Sequence, residues 1–233
     1  MIVIGLSGYK RAGKDTVADI LVKDHGFTKL SFAAPLKRMV RNFDPIVGWT
    51  MPGEEDCICE ECSPMTSNPI FLSDLYAWGF DDDEIKDSRY GDIVREYWQR
   101  MGTEVMRAED EQYWIYAALA EVSRSGADKI VFSDTRFPNE ADMVYGYNNW
   151  HGDVGSVWQI SRPGTEPDPD EEIHASESHV GQLNEEVTII NEASFEELAD
   201  AVAVALTVTE GKRSTLDDLM ALLSLSEGTD GEE

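Results

Sequence analysis

Cations are scarce in this 233-residue chain: 19 Lys plus Arg stand against 46 Asp plus Glu, for a formal net charge of −27. A surface that negative repels nucleic-acid phosphates and anionic lipid headgroups, which speaks against a broad basic face for either. Cysteine is nearly absent. Its three copies, Cys57, Cys59 and Cys62, are too few and too crowded for a disulfide framework and fit a reducing cytoplasm. No apolar run is long enough to span a membrane. The apolar start, Met1 to Leu6, is also far shorter than a signal-peptide core and runs directly into a glycine-rich turn. No repeat of fixed period occurs, so solenoids and propellers find no support.

What is present reads as an ordinary globular protein, with 42% hydrophobic and 28% charged residues. The length suits one substantial core with an inserted lobe. Ile2-Val3-Ile4 leads as a buried strand into Gly5-Leu6-Ser7-Gly8, and Val17, Ile20 and Leu21 follow at helical spacing. A second strand is expected at Leu30 to Ala33, with Pro35 in the first turn of a helix carrying Leu36, Met39 and Val40. From about residue 41 to 89 periodicity fades, and the stretch reads as an inserted lobe. Amphipathic stripes return at Ile93, Val94, Tyr97, Trp98 and Met101 and at Trp114, Ile115, Ala118, Leu119 and Val122, and both helices are expected on the sheet. Trp98 and Trp114 read as core. Strands are expected at Lys129 to Ser133, Val154 to Ser161 and Val187 to Ile190. Ser194 and Glu197 have capping-box spacing ahead of a helix to about Leu206. A further short helix around Leu216 to Leu223 and an acidic tail fill residues 211–233. Strands alternating with helices predict an α/β chain with a parallel sheet.

The chemistry is concentrated after the first strand. Gly8-Tyr9-Lys10-Arg11-Ala12-Gly13-Lys14 has the glycine spacing and lysine of a phosphate-binding loop, in the strand-to-helix setting such a loop needs. The glycines let backbone N–H groups curl around phosphate oxygens, the helix start adds a positive dipole end, and Lys14 brings a point charge. Asp15 stands where Ser or Thr usually ligates magnesium, with Thr16 next to it, so the metal ligand is open between them. Asp134, expected at a strand end beside the loop, is a third candidate through water and equally a cap. Cys57, Cys59 and Cys62 have the crowding of a zinc site but lack a fourth cysteine, and zinc is not favoured.

Together, Gly13-Lys14-Asp15-Thr16, Ser31 to Lys37, Gln99 to Glu104 and Asp134 to Glu140 resemble the bacteriophage deoxynucleoside monophosphate kinases, a resemblance that covers roughly residues 1 to 210. It implies a P-loop kinase fold with an acceptor-binding lobe inserted after the second strand and a lid, here about residues 162–182. The implied reaction is ATP:dNMP phosphotransfer with Mg2+, and the implied partners are small molecules, with a homodimer left open. Asp15 then looks like a family feature.

Such a transfer needs two anionic substrates held in line and the charge on the moving group neutralised. Lys14, Arg136 and Arg162 are therefore assigned to catalysis, and Gly8, Lys10, Arg11, Ala12, Gly13, Lys14, Asp15 and Thr16 to ATP. Lys37 and Arg38 are assigned to the acceptor phosphate, with Gln99, Arg100, Glu104 and Arg107 also on the acceptor. Tyr76, Trp78 and Phe80 are candidate pocket aromatics. No Lys or Arg lies between Arg162 and Lys212, so the lid offers only His174 and His179 as further cations, and exposed lid residues are the simpler reading of both. Competing readings are a P-loop kinase of another phosphorylated metabolite and a nucleotide-binding regulator or ATPase.

Overall fold

Apolar runs without alternation suit strands covered on both faces, and the computed structural model sets two of them, Ile2–Ser7 and Lys129–Phe132, side by side in one sheet. The structure describes residues 1–50, 68–149, 153–167 and 178–227, the side chains of 149 and 213–227 excepted. In chain order the strands are β1 (Ile2–Ser7), β2 (Thr28–Leu30), β3 (Ile46–Trp49), β4 (Pro69–Phe71), β5 (Lys129–Phe132), β6 (Val154–Ser161) and β7 (Val187–Ile190). The α-helices are α1 (Lys14–His25), α2 (Ala33–Phe43), α3 (Leu72–Ala77), α4 (Asp82–Asp87), α5 (Gly91–Gln99), α6 (Tyr113–Ser125), α7 (Pro138–Gly146) and α8 (Phe195–Glu227). A π-helix, Arg100–Arg107, continues α5. Contacts divide the chain into two units, Met1–Phe32 with the chain from Ile115 onward, and Ala33–Trp114.

The first unit holds a five-stranded sheet in the order β2-β5-β1-β6-β7, every neighbouring pair parallel. Period-two alternation sends Ile2, Ile4 and Leu6 to one face, where they join Val17 and Leu21 of α1 and Val202 and Leu206 of α8. Val3 goes to the other, with Ile115, Ala118 and Val122 of α6 and Ala141 and Val144 of α7. Helices thus cover both faces of a parallel sheet whose central strand β1 runs into the glycine-rich loop, the parallel α/β arrangement expected from the sequence.

The second unit has its own core. Val40, Val47, Ile70, Leu72, Leu75, Ile85, Val94 and Trp98 are buried together over the antiparallel pair of β3 and β4. The stretch that looked aperiodic therefore contains regular pieces, too short for a helical or alternating pattern to build up. The helix expected on the sheet at Ile93 to Met101 belongs to this core instead. An amphipathic stripe reports that a face is buried, not against what. Trp98 and Trp114 are both buried, as expected.

Two boundaries moved. β2 ends at Leu30 and α2 starts at Ala33, because Asp134 accepts hydrogen bonds from the Ser31 hydroxyl (2.7 Å) and the Phe32 N–H (2.8 Å) and turns the chain there. The capping box of Ser194 and Glu197 forms, but the helix it starts runs unbroken to Glu227 through Gly211. A glycine inside a helix costs only about 1 kcal/mol and need not end it.

Candidate active site

Parallel strands carry their loops at matching ends, so β1, β5, β6 and β7 bring four segments to the C-terminal edge of the sheet: the glycine-rich loop, Asp134 to Arg136, Arg162 and Asn191. The loop itself is shaped by conformations few residues accept. Gly8 (φ 144°) and Gly13 (φ 101°) lie in the left-handed region, and Arg11 (φ 66°) joins them. A Cβ on Gly8 would collide with the Ile160 carbonyl oxygen of β6, and one on Gly13 with the Asn191 side-chain amide. Only glycine fits either place.

Lys14 opens α1 and reaches back over the loop, its ammonium donating to the carbonyl oxygens of Gly8 (2.6 Å) and Tyr9 (2.8 Å). Gly13 offers no side-chain cap to α1. The N–H groups of the first helical turn have no acceptor within the helix and lie at the positive end of the helix dipole, an arrangement that favours an anion. Lys10 and Arg11 are exposed on the loop, Ala12 is buried beneath it, and Thr16 is exposed in the first turn of α1. Asp15 points to Lys29, with a 3.0 Å ion pair; Lys29 is held above its ordinary pKa, burial opposing and Asp19 and Asp15 outweighing it.

Asn191 carries no role in the sequence reading, yet it fastens the loop. Its side-chain amide donates to the Ala12 carbonyl (2.9 Å), and its own N–H donates to the Ser161 carbonyl (2.7 Å) at the end of β6. The signal was a polar side chain directly after the last strand of a parallel sheet, where ligand-binding groups collect.

Beyond β5, Arg136 sits just before α7. The buried Glu140 carboxylate accepts from the Arg136 N–H (2.8 Å) and the Phe137 N–H (3.2 Å), half of a capping box that fixes where Arg136 leaves the backbone. His179 lies across from Phe137, ring centroids 6.1 Å apart. Glu185 ties the following segment to β1, accepting from the Ser7 hydroxyl (3.1 Å) and the Gly181 N–H (2.9 Å). Arg162 is exposed directly after β6.

The residues assigned to the acceptor all lie in the second unit. Lys37 and Arg38 are on α2, Gln99 ends α5, and Arg100, Glu104 and Arg107 are on the π-helix. Arg100 pairs with Glu96 (3.4 Å) and Glu104 (3.6 Å). The π-helix is anchored at Gly102, which is buried against Leu36 and whose own carbonyl oxygen accepts from the Trp114 indole N–H at 2.9 Å. Nothing in its sequence marks the wide turn. Such helices are rare and collect at functional sites. Lys37 pairs with Asp82 at 3.1 Å. Tyr76 and Phe80 line a cavity together with it, whereas Trp78 is exposed. Cys57, Cys59, Cys62 and His174 lie outside the described residues.

The family model for deoxynucleotide monophosphate kinase matches residues 2–45, the stretch that holds β1, the loop, α1, β2 and α2. The chain is similar to the deoxynucleotide monophosphate kinases. A putative deoxynucleotide monophosphate kinase of Acanthamoeba polyphaga mimivirus is 27% identical over 215 residues, 84% of this chain and 92% of the relative. The deoxynucleotide monophosphate kinase of Enterobacteria phage T4 is 23% identical over 249 aligned positions, covering 89% of this chain and 100% of the relative. Among solved structures, a dephospho-CoA kinase from Campylobacter jejuni aligns with 91% of this chain and 99% of its own at a TM-score of 0.37 and 11% identity.

Proposed function

We propose that this protein transfers the γ-phosphoryl group of ATP to deoxynucleoside monophosphates. The observation that carries the reading is the loop itself: left-handed glycines at 8 and 13, Lys14 folded over it and a helix start behind it, in a chain similar along most of its length to deoxynucleotide monophosphate kinases. Backbone N–H groups of Lys10 to Thr16 cradle the donor phosphates, and Lys14 neutralises charge on them. Arg136, aimed by Glu140, and Arg162 supply positive charge to the moving group. Lys37, Arg38, Gln99, Arg100, Glu104 and Arg107 hold the acceptor. The chain acts in the cytoplasm on small molecules.

Thr16, whose hydroxyl stands exposed in the first turn of α1, fits a magnesium ion, and Asp134 fits through water because Ser31 and Phe32 already use part of its hydrogen-bonding capacity. Asp15, paired with Lys29, fits less well. A magnesium ion held there would neutralise negative charge on the phosphates.

The test is an ATP phosphotransfer assay with magnesium over all deoxynucleoside and ribonucleoside monophosphates, reading diphosphates by chromatography. Diphosphate formation with one or more dNMPs is expected. ATP hydrolysis without transfer to any of them would replace the kinase with an ATPase.

A further inference from the structure

β1 ends at Ser7, and the glycine-rich loop begins with the next residue. Alternation puts Ser7 on the same face of the sheet as Val3 and Gly5, the face covered by α7, and the residue is fully buried. A buried hydroxyl needs a partner. Ser7 donates to the Glu185 carboxylate at 3.1 Å. That carboxylate also accepts from the Gly181 N–H at 2.9 Å and, through its second oxygen, from the Leu183 N–H at 3.1 Å. One charge thus gathers three donors, two from a turn and one from the residue that leads into the loop.

The turn does not depend on Ser7 for its place. Leu183 is buried in the core that Ala141 and Val144 of α7 share. The Glu186 N–H donates to the Val157 carbonyl of β6 at 2.9 Å, and the Tyr145 hydroxyl of α7 donates to the Asn184 carbonyl at 2.5 Å. Gly181 (φ 78°) and Asn184 (φ 55°) take the left-handed conformations that glycine and asparagine tolerate best. The bond to Ser7 therefore serves its other partner, fixing the end of β1 against a turn that is already fixed. The far end of the loop is held in a similar way, by the Asn191 amide on the Ala12 carbonyl, just before Gly13. Glu185 lies two residues before β7 and Asn191 directly after it, so the segments flanking one edge strand carry a pin for each end of the loop. A carboxylate near a triphosphate site costs affinity by repulsion unless it contributes something else. Here the contribution is geometry, because a cradle of backbone N–H groups receives phosphates only in the shape in which it is held.

We propose that Glu185 is a positioning residue for the donor loop: through the Ser7 hydroxyl it holds the entry of the loop in the shape that receives the ATP phosphates. The inference rests on the reading of the loop as an ATP site and adds to it a residue that acts through another.

The experiment is calorimetric titration of the full chain with a non-hydrolysable ATP analogue and magnesium. It compares the wild type, Ser7→Ala, Glu185→Ala, Glu185→Gln and the double variant of Ser7→Ala with Glu185→Ala, with denaturant unfolding of each alongside. Ser7→Ala and Glu185→Ala each weaken nucleotide binding about 10-fold, the scale of a hydrogen bond to a charged group. The double variant is no weaker than Glu185→Ala alone, because both changes remove the same link. Glu185→Gln, which keeps an oxygen for Ser7, recovers most of the affinity. In steady-state kinetics of Ser7→Ala, KM for ATP rises and KM for the dNMP does not. A brace for the turn alone gives another pattern: Glu185→Ala unfolds more easily but binds nucleotide like the wild type, and Ser7→Ala binds it unchanged. A carboxylate that merely repels the phosphates gives tighter binding in both Glu185 variants. Either pattern overturns the proposal, as does additivity in the double variant. If Glu185→Ala does not fold, Ser7→Ala decides, since it removes one hydroxyl. The titration reads the nucleotide alone, so a wild type that binds it and phosphorylates no dNMP sinks the kinase reading and leaves this one standing, whereas a wild type that binds no nucleotide overturns both.

Discussion

Replacing Lys14 by methionine keeps the length of the side chain and removes the ammonium that lies over Gly8 and Tyr9. Loss of one preorganised charge at a transferring phosphoryl group typically costs about 100- to 1,000-fold in rate, and Lys14→Met should fall by at least that much in the phosphotransfer assay. Arg136→Ala should lose turnover on the same scale while ATP still binds, measured by single-turnover kinetics beside equilibrium titration. Near-normal turnover in either variant would withdraw that residue from the chemistry. Asn191 makes a smaller, separable contribution. Asn191→Ala removes one hydrogen bond to Ala12, worth about a 3- to 10-fold rise in KM for ATP with KM for the acceptor unchanged. An equal change in both constants would mean that Asn191 holds the fold in general rather than the donor loop.

At the scale of elements, α7 depends on a carboxylate it buries. Glu140 serves the N–H groups of Arg136 and Phe137, which α7 cannot satisfy internally. Glu140→Ala should lower stability by about 1–3 kcal/mol in denaturant unfolding, because buried donors are left without acceptors. It should also lower kcat, because Arg136 loses its fixed exit from the backbone. Glu140→Gln, which keeps an acceptor oxygen, should recover most of the stability. Full activity in Glu140→Ala would show that Arg136 needs no such anchor. The glycines follow the same logic. Gly13 combines a left-handed backbone with a space closed by Asn191, so trimming Asn191 cannot rescue a side chain at position 13.

For the whole molecule, a net charge of −27 means that compacting the chain brings like charges together. Screening that repulsion should stabilise the fold, and the melting temperature should rise by several degrees between ~20 mM and ~0.5 M NaCl, where the Debye length shrinks several-fold. Calorimetry at both salts measures it, and a flat or falling melting temperature would show that attractive ion pairs outweigh the net repulsion. The division into two units has a counterpart in the charges. The cations assigned to the donor lie by the sheet edge, whereas those assigned to the acceptor lie on the unit that has a core of its own.

The glycine-rich loop was legible in the sequence because strand, glycines, lysine and helix start are contiguous, and each obeys a local rule of backbone geometry. The parallel sheet was legible for a similar reason, since the apolar runs of β1, β5 and β6 carry their own burial pattern. The capping box at Ser194 and Glu197 needed only a spacing of three. Asn191 was not legible, because its partner Ala12 lies 179 positions away and becomes a neighbour only through the order of the strands. Nor were the partners of Asp82, which sits in an acidic run that reads as solvated surface until the fold sets it against Lys37, Arg41 and Tyr76. Local sequence thus determined which segments form the glycine-rich loop and the sheet; tertiary structure alone decided which distant side chains fasten that loop and which charges neutralise each other, because both depend on distances that no periodicity encodes.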